Sequence, residues 1–310
     1  MRITCRTMWF GMIAALILAI VGSRVCFAAD KINVVATTSI IGDWVRIVGD
    51  DHIQLTTLAG PDNDPHDYEP IPADSIAISQ ARIIFENGLG LEQWLDKLYS
   101  SAQSTARRVV VTDGVTIRHI PTSESQSTNG QSDDRDPHAW QDVSDAVIMV
   151  GNIRKALADA DPPHAAEYNS RAAAYISQLK QLDTWVQTQI NSIPPARRKL
   201  TTSHDAFGYF GQRYGMDISR SALESVTTEA ADPSARQLAD VIDQVRASGV
   251  PVIFLENIQN PKLINQIAAD ANVKVGPPLY SDALGASGSA GDTYIKMIRY
   301  NVTTLVNALK

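Results

Sequence analysis

The chain has 310 residues, with 34 acidic against 27 basic side chains and a formal net charge of −7. An acidic surface argues against nucleic acid or anionic membrane as a partner and suits the attraction of cations. With 44% hydrophobic residues and two cysteines, the chain can bury a sizeable core but offers little for a disulfide scaffold.

Residues 1–29 read as a secretory signal peptide. Arg2 and Arg6 give a positive start, Met8 to Val21 an apolar run too short to anchor the chain in a bilayer, and Cys26-Phe27-Ala28-Ala29 a small-residue cleavage region. Cleavage after Ala28 or Ala29 removes Cys5 and Cys26, leaving no disulfide and no thiolate ligand. Ser23-Arg24-Val25 before Cys26 is a poor match to a lipidation signal, so the expectation is a soluble periplasmic protein without a direct membrane anchor. Loss of Arg2, Arg6 and Arg24 leaves 24 basic against 34 acidic residues, a net charge near −10.

From residue 30, strands alternate with helices: strand Ile32 to Ala36, helix to about Val48, strand Ile53 to Leu58, helix Pro72 to Ala81, strand Arg82 to Glu86, helix Leu91 to Ala102 and strand Arg108 to Thr112. Such alternation predicts parallel β-α-β units with right-handed crossovers. His119 to Asp136 interrupts it with a polar, Ser/Thr/Asn/Gly-rich loop, either a flap over a site or a surface insertion. Helix Val143 to Leu157 follows.

His164 to Ile193 reads as one long helix between Pro162-Pro163 and Pro194-Pro195. Tyr168, Ala172, Tyr175, Leu179, Leu182, Val186, Ile190 and Ile193 fall at three- and four-residue steps and form one apolar stripe. At 1.5 Å per residue it spans about 45 Å. The strand–helix rhythm then restarts: strand Leu200 to Ser203, helix Asp205 to Tyr214, strand Asp217 to Leu223, helix Ser234 to Ser248, strand Val252 to Glu256, helix Lys262 to Asn272, strand Val273 to Val275 and helix Thr293 to Leu309. The expected fold is α/β: two lobes, each a parallel sheet flanked by helices, joined by a rigid helix with a cleft between them. The lobes are placed at 30–163 and 194–310, around a linking helix 164–193. An ordinary surface helix in one domain is the competing arrangement.

Three of the six histidines share a context. His66 lies in Asp64-Pro65-His66-Asp67-Tyr68-Glu69-Pro70, His138 in Asp136-Pro137-His138-Ala139-Trp140, and His204 in Ser203-His204-Asp205-Ala206-Phe207. Each is at a carboxyl-terminal strand edge or enters a helix, where ligands collect in open α/β sheets. Asp64, Asp136 and Asp205 sit within two residues as candidate acceptors for the ring nitrogens, with Glu229 and Glu256 as further candidates. Asp282, in Leu279-Tyr280-Ser281-Asp282, is the fourth candidate and depends on the wider match. Trp140 and Phe207 read as walls of the site.

Taken in this order, with Thr228-Glu229-Ala230-Ala231-Asp232-Pro233-Ser234, these segments resemble the metal-binding substrate-capturing proteins of zinc and manganese ABC importers, the cluster with a helical linker. The likeness spans essentially the whole mature chain. It implies that His66 and His138 ligate from the first lobe and His204 and Asp282 from the second, with a membrane permease as the protein partner. Gln141-Asp142-Val143 departs from the leucine-aspartate-proline usual in that family.

Three imidazoles and a carboxylate suit tetrahedral Zn²⁺, or five-coordinate Zn²⁺ if Asp282 binds through both oxygens. The resemblance implies that a glutamate often replaces the third histidine where manganese is the cargo, so His204 tilts the reading to zinc, with Mn²⁺ as the alternative. Such sites bind Zn²⁺ more tightly than Mn²⁺ whatever the cargo. Imidazole must be neutral to ligate, so affinity is expected to fall as pH drops through about 6.5. The expectation is therefore a monomeric carrier, not an enzyme. An exported zinc hydrolase would need Asp282 off the metal and Glu229 or Glu256 as base. A surface adhesin of the same fold is the third reading, and the poor lipidation signal counts against it. Asn301-Val302-Thr303 matches a glycosylation acceptor by chance, inside a helix.

Overall fold

The computed structural model describes residues 31–120, 134–202, 204–218, 235–250, 252–258 and 261–310. The predicted signal peptide, most of the polar loop and Glu229 lie outside these residues. Residues 31–310 form one compact unit. No helix among the described residues is long and apolar enough to cross a membrane.

The first half builds a four-stranded parallel sheet from β1 (Ile32–Thr38), β2 (Ile53–Ala59), β3 (Ile83–Glu86) and β4 (Arg107–Val110), in the order β2-β1-β3-β4. Helices α1 (Ser39–Gly49), α2 (Pro72–Gln80) and α3 (Leu95–Ser101) connect the strands. Thr38 ends β1 and caps α1, its hydroxyl accepting from Ile41 N at 3.3 Å. Pro72 opens α2, and the Asp74 carboxylate takes the Ile71 N–H at 2.8 Å. Buried on both faces, β1 reads as a nearly continuous apolar run, as parallel strands do.

α4 (Val143–Ala160) is capped by Asp142, which accepts from Ser144 N at 2.7 Å, and packs along the long helix α5 (Ala165–Asn191). All eight residues of the predicted stripe are buried, against α4, α1 and the C-terminal helix α9 (Tyr294–Leu309). With 27 residues, α5 spans about 40 Å.

The second half repeats the plan. β5 (Lys199–Leu200) pairs in parallel with β6 (Asp217–Ile218), and β7 (Val252–Glu256) with β8 (Lys274–Leu279). A parallel bridge between Thr202 and Phe254, with Phe254 N donating to Thr201 O at 3.0 Å, joins the two ladders. The resulting order, β6-β5-β7-β8, matches the first sheet strand for strand. α6 (Gly208–Tyr214) follows β5 and ends at Gly215, whose φ of 75° is the left-handed stop that glycine supplies. α7 (Ala235–Ser248) and α8 (Pro261–Ala271) flank β7 and close a local core around Val241, Ile253 and Ile267.

The main core does not respect the midpoint of the chain. It runs without a break from Val34, Ile41 and Phe85 of the first half, through Tyr168, Leu179 and Val186 of α5, to Phe207, Phe254 and Leu305 of the second.

Candidate metal centre

Each side chain of the predicted set is delivered by a strand end or the turn after it. His66 follows β2 across a turn in which Asp64 accepts from His66 N at 2.8 Å, and Trp94 Nε1 holds Pro65 O at 2.8 Å. His138 enters the helical turn Ala139–Gln141 before α4, and His204 sits between β5 and α6. Asp282 follows β8 by three residues. Although 216 positions separate His66 from Asp282, the structure brings all four together, one ligand atom from each lying within 4.8 Å of every other.

His138 Nε2 lies 3.3 Å from His66 Nε2, 3.3 Å from His204 Nε2 and 3.5 Å from Asp282 Oδ1. His204 Nε2 lies 3.0 Å from Asp282 Oδ2. One imidazole nitrogen carries at most one hydrogen, so it cannot satisfy three such neighbours. Both Asp282 oxygens are buried, and among the described residues neither meets an aligned hydrogen-bond donor. Three nitrogen lone pairs and an unsatisfied carboxylate aimed at one point are the donor set of a dication.

The opposite ring nitrogens are held differently. His138 Nδ1 donates to Asp136 Oδ1 at 2.7 Å, and the same oxygen accepts from His138 N at 3.0 Å. His204 Nδ1 meets Glu256 Oε2 at 2.5 Å, while Glu256 Oε1 takes His204 N at 2.9 Å. These two rings are therefore oriented with Nε2 toward the centre. Two of the carboxylates expected at rings are used elsewhere. Asp64 holds the backbone of His66, and Asp205 turns to Arg118, with Asp205 Oδ2 3.6 Å from Nη2. Sequence reasoning missed Arg118. A lone arginine opening a polar loop carries no signal.

Burial opposes charge on every ring, and neighbours decide the outcome. His66, whose ring pairs with no carboxylate among the described residues, is pushed down to about 4, chiefly by burial. In His204 the carboxylates of Glu256 and Asp282 overcome burial and raise the pKa well above the usual imidazole value. Asp282 and Asp136 raise His138 against the same burial penalty. Burial disfavours the Asp282 carboxylate, yet His204 and His138 hold it well below the ordinary range.

The floor of the cleft ties its two sides together. Trp140 Nε1 and Gln141 Nε2 both donate to Ser281 O at 2.8 Å, and Tyr294 O–H donates to Trp140 O at 2.6 Å. Asn301 clamps the preceding residue, accepting from Tyr280 N at 2.9 Å and donating to Tyr280 O at 2.7 Å. Its buried amide is thus committed to the Tyr280 backbone.

A family model described as zinc-uptake complex component A, periplasmic (ZnuA) matches residues 34–308. The chain belongs to the ZnuA family. Members of this family are substrate-binding proteins of ABC importers, not enzymes, which removes the hydrolase alternative. Among relatives of this ZnuA-family chain, the manganese-binding lipoprotein MntA of Halalkalibacterium halodurans is 34% identical over 280 residues, covering 90% of this chain and 89% of that protein. The periplasmic zinc-binding protein TroA of Treponema pallidum superposes with a TM-score of 0.78 at 31% identity, covering 90% of this chain and 99% of that one. A manganese-bound periplasmic metal-binding protein from Candidatus Liberibacter asiaticus gives 0.77 at 28% identity, covering 91% and 100%. The ZnuA-family fold is thus the two-lobed α/β architecture with a long connecting helix.

Proposed function

We propose that the protein captures a divalent transition-metal ion outside the cytoplasm through His66, His138, His204 and Asp282, and passes it to the permease of an ABC importer. Its lobes are 30–163 and 194–310, with α5 as the strut between them. The convergence of three Nε2 atoms on the unsatisfied Asp282 carboxylate carries this reading. Four protein ligands leave no open position for an activated water, which suits a carrier. Asp136 and Glu256 fix two rings in the ligating tautomer.

The cargo we favour is Zn²⁺, because three imidazoles and one carboxylate match its preference for nitrogen-rich tetrahedral sites. Mn²⁺ is the second reading. It rests on MntA being named for manganese, and on a carboxylate at Asp282 whose two oxygens could both ligate and allow a higher coordination number. The segment around Cys26 favours a soluble exported form, whereas MntA is named a lipoprotein.

Elemental analysis of protein purified without added metal, together with titrations of wild type and His204→Ala, tests this function. One equivalent of metal in wild type, with affinity lost in the variant, is expected. Equal binding by the two would overturn the site.

A further inference from the structure

The Arg118 guanidinium serves two carboxylates, one from each side of the cleft. Its Nη1 donates to Asp136 Oδ2 at 2.5 Å, and its Nη2 lies 3.6 Å from Asp205 Oδ2. Asp136 is completely buried, and its other oxygen holds both the backbone and the ring of His138. Asp205 is the residue after His204. The backbone of the arginine is fixed as well. Arg118 N donates to Tyr209 Oη at 3.0 Å, Tyr209 O–H donates to Asp136 O at 3.1 Å, and Asp136 N donates to Arg118 O at 2.9 Å.

A glycine makes room for this arrangement. Gly208, the first residue of α6, lies so close to Arg118 that a Cβ there would overlap Nη1, Cζ and Nε of the guanidinium. Its φ is not in the left-handed region, so the backbone does not require glycine. Nothing in the helix itself calls for glycine at this first position. What alanine would take away is the seat of the arginine.

We propose that Arg118 is a positioning residue for metal capture, a clamp that fixes His138 through Asp136 and couples it to the His204 segment through Asp205, with Gly208 keeping its seat open. The proposal rests on the assigned ligand set and touches no ligand directly. A planar fork can serve two carboxylates at once, which an ammonium on a flexible stem does poorly. Losing a group that orients a ligating imidazole costs about 10–100-fold in affinity, and the lower end is expected for one acting through a second carboxylate.

The test uses Co²⁺ as a visible probe of coordination geometry in the purified chain. Arg118→Gln and Gly208→Ala are each expected to weaken Co²⁺ binding about ten-fold and to alter the d–d absorption bands, with Arg118→Lys recovering only part of the loss. Gly208→Ala removes no charged group, so it carries the test if Arg118→Gln fails to fold. Wild-type affinity and spectrum in Gly208→Ala, or full rescue by Arg118→Lys, would overturn the clamp. His138→Ala separates the two levels. If it binds Co²⁺ like wild type, the ligand assignment falls. If it does not, while Arg118→Gln does, only the clamp falls.

Discussion

Three imidazoles turn one nitrogen to the same point, and their chemistry differs because of what holds the other. Asp136 and Glu256 make His138 and His204 stronger bases, and both carboxylates are themselves held below their ordinary pKa by the rings they meet. Asp136→Asn and Glu256→Gln are each expected to weaken metal binding by about 10–100-fold, read by competition with a chelator.

Proton competition follows from the same pairs. His138 and His204 are raised above the ordinary imidazole value by the carboxylates beside them, so protons compete at these two rings, whereas burial pushes His66 down to about 4. A raised imidazole stabilises the ion-free fold at low pH, and that contribution is lost as pH rises through the raised value. An ion held by these rings would need them neutral. Affinity is therefore expected to climb from pH 6 to pH 8, and to keep climbing above the 6.5 expected of a free histidine. Isothermal titration at several pH values checks this, and a flat profile would contradict it. The three histidines were legible because each sits in a distinctive local run. Which carboxylate meets each ring was not. Glu256 reaches His204 because β7 is bridged to the segment after β5, a pairing between positions 52 apart that local sequence does not announce.

At the scale of elements, the stripe on α5 was readable residue by residue, since a helix that packs on one side leaves a clean periodicity. β8 runs to Leu279, beyond the Val275 at which the sequence pattern ends it. Gly276-Pro277-Pro278 looks like a terminator, yet the two prolines fall at a register irregularity between the Phe254–Gly276 and Glu256–Leu279 pairs, where no ladder N–H is required, and the strand resumes at Leu279. α3 starts later than the Leu91 that the sequence pattern suggests, for another reason. Gly88 and Gly90, with φ of 77° and 82°, make a tight turn in which the Glu92 carboxylate takes Asn87 N and Gly88 N, so the helix begins only at Leu95. Burial pushes Glu92 up to about 7. The contact between α9 and the Asp282 segment also gives a measurable expectation. Asn301→Ala unpairs Tyr280 N and O, and should cost about 2 kcal/mol in urea unfolding while weakening metal binding.

For the whole molecule, the core continuous through α5 predicts one cooperative thermal transition, not two. On the proposed function, an ion held only by the assembled cleft and present at about a hundred times its dissociation constant should add about 2.7 kcal/mol to stability. The gap in melting temperature between loaded and ion-free protein should widen from pH 6 to pH 8. Calorimetry with and without chelator measures both.

One carbonyl on the floor of the cleft sets how the molecule can be divided. Ser281 O receives an indole and an amide from the turn that presents His138, so each half finishes the geometry of the other. Fragments severed near Pro194 would therefore be poor receptors when kept apart. Mixing them should restore ion uptake only to the extent that they dock, which makes metal retention a gauge of reassembly.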